Sequence, residues 1–253
     1  MRIRKHIPNL LTCANLVCGC YACILALGGD YFGAMMAVLI AAVFDFADGF
    51  AARLLNAFSP IGKDLDSLAD IVSFGVAPGL ILFDFVDRIQ KNVDWNYPPA
   101  GKFFLLAAFT IPVFSALRLA IFNNDQRQKT SFIGLPVPAH ALFWASLIYV
   151  LSISVEGSAI SGLIPQFITF RLPYIPPLCM LLFVTCLAIG SSLLLVSKIP
   201  MFSMKIKSLA WKGNEARYTL IITAAVVIIC FGFLGVSLTI LFYILFSLRS
   251  PNV

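Results

Sequence analysis

Two neighbouring segments of the chain read FDFADGFAAR over residues 44–53 and GKDLDSLAD over residues 62–70. The two halves fall on consecutive apolar runs, and four of the twelve acidic residues of the chain are spaced three or four apart in them, namely Asp45, Asp48, Asp66 and Asp70. At 100° per residue of α-helix, the aspartates of the first half are about 60° apart and those of the second half about 40° apart. Each helix therefore presents one acidic stripe, and a short antiparallel connection makes the two stripes face each other.

The composition is that of a membrane protein. Of 253 residues, 60% are apolar and 12% are charged, whereas about a quarter of the residues of a soluble domain are charged. Apolar runs of the length needed to cross a bilayer begin near Ile7, Tyr31, Leu68, Lys102, Pro136, Pro173 and Tyr218. This pattern predicts an all-α, polytopic helical bundle and excludes a secreted soluble enzyme or a nucleic-acid reader.

The last apolar run is too long for one span. Residues 218–248 would form a helix of roughly 46 Å, against a hydrocarbon core of about 30 Å. Gly232 and Gly235 mark a predicted turn, which gives two short helices and eight spans; a single tilted seventh helix is the alternative. We therefore divide the chain into a core at residues 1–200, a basic cytoplasmic loop at 201–217 and a C-terminal membrane hairpin at 218–253.

The basic residues predict the orientation. With a cytoplasmic N-terminus, four lie on the outer side, Arg88, Lys91, Lys102 and Arg171, and twelve lie inside, Arg2, Arg4, Lys5, Arg53, Lys63, Arg127, Lys129, Lys198, Lys205, Lys207, Lys212 and Arg217. This bias follows the positive-inside rule. It predicts a multi-pass protein of the cell membrane, in a bacterium the inner membrane, with the acidic stripes on the cytoplasmic side. The seven cysteines lie in apolar runs, so we expect no disulfide framework.

Four facing carboxylates repel one another in a medium of low dielectric constant unless protons or metal ions neutralise them. Oxygen ligands without His or Cys favour Mg²⁺ or Mn²⁺, and four acids suit two ions about 4 Å apart. Pairing with Arg53, Lys63 and neighbouring loop charges is the structural alternative, but it offers too few cations, and acids within a membrane are functional by default. Gly49 and Ala52 leave space beside Asp48 for a planar group.

The complete pattern is D-x2-D-G-x2-A-R-x8-G-x3-D-x3-D, and at every position it resembles the motif of the CDP-alcohol phosphotransferases. The resemblance implies a six-helix membrane core, usually a homodimer, which transfers a phosphatidyl-type group from a CDP-linked lipid to an alcohol and releases CMP. It implies that two divalent ions are held by Asp45, Asp48, Asp66 and Asp70, with Asp70 also the general base. It further implies that the CDP moiety is bound by Asp48, Gly49, Ala52, Arg53 and Gly62.

Three further stretches are similar to the CDP-diacylglycerol:serine O-phosphatidyltransferases. They read DSLADIVSFGVAP over 66–78, ALRLAIFN over 116–123 and GLPVPA over 134–139. This narrower resemblance implies CDP-diacylglycerol and L-serine as substrates and phosphatidylserine as the product. Glycerol 3-phosphate or inositol phosphate as acceptor, and CDP-archaeol as donor, are alternatives. Ile121 and His140 depart from the subfamily pattern, in which an arginine and a small residue are common; we expect His140 to be a core histidine.

Arg118 is the basic residue placed in the middle of an apolar run. Burying a guanidinium without a partner is costly, so we expect Arg118 to face a polar cavity and to hold the serine carboxylate or a lipid phosphate. A salt bridge to a motif aspartate is the alternative. Asn123 and Ser73 are weaker candidates for polar contacts to the substrate.

A divalent-cation transporter is the alternative from another class, because it could use the acidic cluster as its binding site. Such proteins typically have broken helices or inverted repeats with acids at the membrane midplane. In this sequence the acids lie near one face of the membrane, and no second half repeats them. The sequence therefore favours the enzyme over the transporter.

Overall fold

The computed structural model describes residues 6–57, 59–91, 98–124, 132–156, 175–201 and 215–249, and these form an all-α bundle. The predicted basic loop falls largely outside this part of the chain, as do Arg2, Arg4, Lys5, Arg127, Lys129, Arg171, Lys205, Lys207 and Lys212. The helices are α1 (Ile7–Leu27), α2 (Tyr31–Leu54), α3 (Pro60–Asp70), a π-helical segment (Ile71–Val76), α4 (Ala77–Lys91), α5 (Pro98–Ala107), α6 (Thr110–Asn124), α7 (Val137–Glu156), α8 (Pro177–Leu195), α9 (Glu215–Phe231) and α10 (Phe233–Arg249).

Five helical stretches are long and apolar enough to cross a membrane: Ile7–Leu27, Tyr31–Leu54, Ile61–Lys91, Gly101–Asn124 and Pro177–Leu195. Shorter apolar helices cover Val137–Ile153, Arg217–Phe231 and Phe233–Leu248. These elements confirm the prediction of a polytopic helical membrane protein.

The C-terminal apolar run is interrupted where the glycines predict a turn. Gly232 has a φ of 58° between α9 and α10, a conformation that side chains other than glycine rarely adopt. A Cβ on Gly235 would lie 2.6 Å from the Cα atom of Ile228, so the first turn of α10 packs directly on α9. Two helices of 17 residues each result, as predicted, while the domain boundaries remain a prediction.

The third and fourth runs differ from the sequence prediction in detail. The third helix begins at Pro60, ahead of the apolar run near Leu68, because Ser59 caps it and accepts a hydrogen bond from the Gly62 backbone N–H at 3.0 Å. The fourth run is broken between α5 and α6, at Ala108 and Phe109. Pro112 follows four residues after Ala108 and has no N–H to continue the helical bonding there.

The helix formed by α3, the π-helical segment and α4 lies at the centre of the bundle. It packs closely on α6, because a Cβ on Gly79 would lie 2.9 Å from Pro112 Cδ and one on Gly75 would lie 3.2 Å from Ser115 Cβ. The absence of side chains on Gly75 and Gly79 therefore allows this close approach. The π-helical segment begins one residue after Asp70, and such segments are frequent at functional sites.

The polar ends of several helices meet at one end of the bundle. Lys63 in the first turn of α3 donates a hydrogen bond to the Asn123 carbonyl near the end of α6 at 3.3 Å. Two short strands, β1 (Phe132–Ile133) and β2 (Pro200–Met201), pair antiparallel there, between the end of α6 and the start of α7 and after the end of α8. The acidic stripes lie at this same end.

Candidate active site

Three carboxylates from two helices meet at this end of the bundle. Asp45 and Asp48 come from the C-terminal half of α2 and Asp66 comes from α3. One carboxylate oxygen from each lies within 4.8 Å of the others. The helical spacing of the aspartates and the short α2–α3 connection therefore make the stripes face each other, as the sequence predicts.

Asp70 lies one turn further along α3 and outside this close group of three. It is 8% exposed, and it interacts electrostatically with Asp45 and Asp66. Asn15 of α1 donates a hydrogen bond from Nδ2 to Asp70 Oδ1 at 3.1 Å. Asp70 is thus beside the cluster, deeper in the bundle, and oriented by a neutral side chain.

Helix α1 makes a second contact that the sequence analysis did not assign. Thr12 Oγ1 donates a hydrogen bond to Asp48 Oδ2 at 2.5 Å. The buried residues of α1 form one stripe, Pro8, Thr12, Asn15, Gly19, Ala22 and Ala26. Two polar residues three positions apart in an apolar run are the signal that could have placed Thr12 and Asn15 on the inner face.

No cation of the described chain neutralises the aspartates. The ion pairs among the described residues join Arg88 to Asp84 and Lys91 to Asp87. Arg53 Nε instead donates to the Gly49 carbonyl at 2.9 Å, and Lys63 bonds to Asn123. The alternative in which Arg53 and Lys63 pair with the aspartates is therefore wrong for this structure.

The donor set fits hard divalent cations. Asp66 Oδ1 is buried and has no hydrogen-bond partner in the described part of the chain, an arrangement that costs free energy unless another group satisfies the oxygen. The clustered donors are all carboxylate oxygens, which Mg²⁺ and Mn²⁺ prefer. The donor types and their closeness are therefore suited to a divalent cation.

A cavity of about 220 Å³ opens beside the cluster. A Cβ on Gly49 would meet no atom nearer than Arg53 Nη2 at 4.0 Å, so glycine leaves open space there rather than relieving a clash. Gly62 has a different role, since its Cβ would lie 2.9 Å from Ser59 Oγ and 3.0 Å from Asn9 Oδ1. Arg53, predicted to contact CDP, does not line the cavity, whose walls are Pro8, Asn9, Thr12, Asp48, Gly49, Ala52, Ala57, Ser59, Gly62, Lys63 and Asp66.

Arg118 is buried, with 4% of its surface exposed. Its guanidinium carbon lies 5.2 Å from the centre of the Phe122 ring, and it interacts electrostatically with Tyr243 of α10. Among the described residues its Nε has no hydrogen-bond partner, and no acid there forms a salt bridge with it. The alternative of a salt bridge to a motif aspartate is therefore not realised, and Arg118 retains a donor for an anion.

The other predicted contact residues serve helix packing. Ser73 is buried and its Oγ donates to the Asn15 carbonyl at 3.0 Å, while Asn123 Nδ2 donates to Ser67 Oγ at 2.8 Å. Their substrate contacts remain predictions.

His140 is fully buried, where Nε2 contacts Ser191 Oγ at 2.9 Å and accepts a hydrogen bond from Trp144 at 3.1 Å. This is the environment of a core histidine.

The described residues thus form a polytopic membrane bundle. At one end, a carboxylate cluster suited to hard divalent cations lies beside an open cavity. The seven cysteines of the chain are all free, as expected.

Comparison with known proteins identifies the family. A family model described as CDP-alcohol phosphatidyltransferase matches residues 5–170, and the chain belongs to this family. The matched region contains all four motif aspartates and Arg118. The match makes the chain a membrane-bound transferase, as the motif resemblance predicts.

Relatives of the chain are known from bacteria and archaea. The chain is 36% identical over 134 residues to CDP-diacylglycerol-serine O-phosphatidyltransferase of Bacillus subtilis, covering 53% of this chain and 70% of that protein. It is 34% identical over 205 residues to the Mycobacterium tuberculosis protein of the same name, covering 78% and 61%. It is 32% identical over 138 residues to archaetidylserine synthase of Methanothermobacter thermautotrophicus, covering 54% of each chain. The chain thus spans between about half and about two thirds of the length of these relatives.

Proposed function

We propose that this enzyme transfers a phosphatidyl group from CDP-diacylglycerol to L-serine, giving phosphatidylserine and CMP. The observation that carries the proposal is the clustering of Asp45, Asp48 and Asp66 beside an open cavity, with no ion pair to any of the three among the described residues. Relatives with serine in their names support the acceptor. Membership of the family favours transfer over cation transport.

Two Mg²⁺ or Mn²⁺ ions would be held by Asp45, Asp48, Asp66 and Asp70. Bound there, they would neutralise the diphosphate and the negative charge that develops on the departing CMP. The unpartnered buried oxygen of Asp66 and the absence of ion pairs from the cluster among the described residues support this assignment.

The cavity is the proposed site of the CDP moiety. On the α2 side the cavity is lined by the small residues Gly49 and Ala52, so that a planar base can lie near the helix backbone. The first turn of α3 forms the facing wall, and a helix N-terminus favours phosphate groups. Lys63 in that turn adds a positive charge to the wall, while the predicted role of Arg53 requires its side chain to leave the Gly49 carbonyl.

Asp70 is the proposed general base. The serine hydroxyl would lose its proton to Asp70 while its oxygen forms a bond to the phosphorus of the phosphatidyl group, and the bond from that phosphorus to CMP would break. The position of Asp70 beside the cluster, held by Asn15, supports this role. A hydrogen bond from an amide leaves the carboxylate able to accept a proton.

Arg118 is the proposed anion site, for the serine carboxylate or for a lipid phosphate. Its buried guanidinium with an unpartnered Nε supports this role, because a buried charge normally acquires a partner. Asn123 and Ser73 are the weaker candidates for polar contacts to the substrate. Their side chains donate hydrogen bonds to Ser67 Oγ and to the Asn15 carbonyl, respectively. Acceptors with a phosphate dianion are expected to need more than one such cation.

The cellular arrangement is part of the same proposal. The active site would face the cytoplasm, in a bacterium at the inner membrane, because the positive-inside rule assigns the more basic loops of the sequence to that side. A homodimer follows from the family resemblance. The archaeal relative favours one alternative, a CDP-archaeol donor, since it is named for archaetidylserine synthesis.

The test is release of CMP by the purified protein with Mn²⁺, over a panel of acceptors and donors. We expect CMP only with L-serine and with CDP-diacylglycerol. Release with glycerol 3-phosphate or inositol phosphate instead of serine would contradict the acceptor, and preference for CDP-archaeol would contradict the donor. Ion flux in vesicles without CMP release would contradict the enzymatic function.

A further inference from the structure

Helix α1 contacts two of the four aspartates through Thr12 and Asn15. We propose that these two side chains are positioning residues, which hold Asp48 and Asp70 in the orientations needed for cation binding and proton transfer. The inference rests on the proposed function, which assigns the aspartates but says nothing of the helix behind them. Hydrogen bonds to ligating carboxylates commonly tune a metal site.

The contact of Thr12 is directional. A threonine hydroxyl has one proton, and two acceptors are near it: the Pro8 carbonyl at 3.1 Å and Asp48 Oδ2 at 2.5 Å. The shorter distance is in the range of hydrogen bonds from O–H to a carboxylate, so the Thr12 hydroxyl donates its hydrogen bond to Asp48. The bond fixes the rotation of the Asp48 carboxylate relative to Asp45 and Asp66.

Asn15 is held from two sides. Its backbone carbonyl accepts a hydrogen bond from Ser73 in the π-helical segment, and the absence of a side chain on Gly19 allows this close approach. Its Nδ2 donates to Asp70 while its Oδ1 remains buried without a partner. Rotating the amide by half a turn would direct its oxygen at the carboxylate, so the donor geometry is the favourable one.

Stability alone does not account for Asn15. It is 0% exposed, and a buried amide with an unsatisfied oxygen destabilises a fold relative to an apolar side chain of similar shape. The amide is nevertheless placed where it meets the proposed base. Positioning of Asp70 gives this otherwise unfavourable side chain a role.

The test measures Mn²⁺ affinity by electron paramagnetic resonance in purified protein without lipid substrate. Thr12→Val removes the hydroxyl at nearly constant shape and should weaken Mn²⁺ binding by about 10- to 100-fold, the usual effect of removing such a support. Thr12→Ser keeps the hydroxyl and should bind Mn²⁺ with the wild-type affinity. Thr185→Val is the matched control, since Thr185 is buried in α8 with an unpartnered Oγ1, and it should bind Mn²⁺ as the wild type does.

Asn15→Leu provides a second measurement, in which kcat should fall by about 10- to 100-fold with little change in the KM for CDP-diacylglycerol. If Thr12→Val does not fold, this variant decides the outcome. Unchanged Mn²⁺ affinity in a folded Thr12→Val protein would overturn the proposal, as would equal weakening by Thr185→Val. If Asp48→Asn weakens Mn²⁺ binding and Thr12→Val does not, the positioning role alone is overturned. If the wild-type protein binds no Mn²⁺, both this role and the metal site are overturned.

Discussion

Replacing Gly49 by alanine tests whether the cavity beside the aspartates receives the CDP-lipid. Gly49 lines this cavity of about 220 Å³, and a Cβ built on it would meet no atom nearer than 4.0 Å. The added methyl group would therefore fit the protein but occupy part of the cavity. Alanine also stabilises a helix interior by about 0.5–1 kcal/mol relative to glycine, so the substitution should not unfold α2.

The expected effect on substrate binding is larger than that on folding. An extra methyl group in a close-packed contact costs about 1–3 kcal/mol, which is roughly 5- to 150-fold in affinity. The KM for CDP-diacylglycerol should rise by that factor. The KM for serine and the affinity for Mn²⁺ should stay near their wild-type values, because the methyl group changes no carboxylate.

The assay follows CMP release in detergent micelles while the fraction of CDP-diacylglycerol is varied at saturating serine. Gly190→Ala is the matched control, because Gly190 is an exposed glycine of α8 whose added Cβ would meet nothing within 4 Å. Both variants should unfold at or above the wild-type temperature. A folded Gly49→Ala enzyme with a wild-type KM for the lipid would refute the assignment of the cavity.

Three further predictions concern the catalytic groups. Asp70→Asn keeps an acceptor for Asn15 but loses the base, so kcat should fall by about 10²- to 10⁴-fold. Equilibrium binding of the CDP-lipid should persist in this variant, and wild-type turnover would exclude Asp70 as the base. Arg118→Ala should raise the KM for serine or for the lipid by roughly 10- to 150-fold, the effect of losing a charge-assisted hydrogen bond, and an unchanged KM for both would make Arg118 structural. A chelator should abolish CMP release and added Mg²⁺ or Mn²⁺ should restore it; full activity after complete chelation would contradict the metal site.

Local periodicity explains why the carboxylate cluster could be predicted from the sequence. The spacing of Asp45 and Asp48, and that of Asp66 and Asp70, fixes their faces on two helices, and the short connection leaves one way to pack them. The break at Gly232 was predictable for a related reason, since the length of the apolar run exceeds the bilayer. Both inferences depend only on helix geometry and membrane thickness.

Other features depend on tertiary packing and were not predictable in the same way. The π-helical segment after Asp70 changes the register of the helix without a sequence signal of its own. Thr12 and Asn15 could be placed on an inner face, but their partners could not be named before α1 was packed against α2 and α3. The start of the third helix was set by the Ser59 cap rather than by hydrophobicity.

The separation of opposite charges in this bundle argues for catalysis rather than for structure. The aspartate cluster has no cation partner among the described residues, and Arg118 has no acid partner there, although all are wholly or partly buried. A fold selected only for stability would pair these charges or replace them with apolar residues, because unpaired buried charges are expensive. The proposed phosphatidyl transfer would need both groups unpaired, since the carboxylates would bind cations while the guanidinium would bind an anion. The cost of keeping them apart is therefore explained by the substrates that would neutralise each of them.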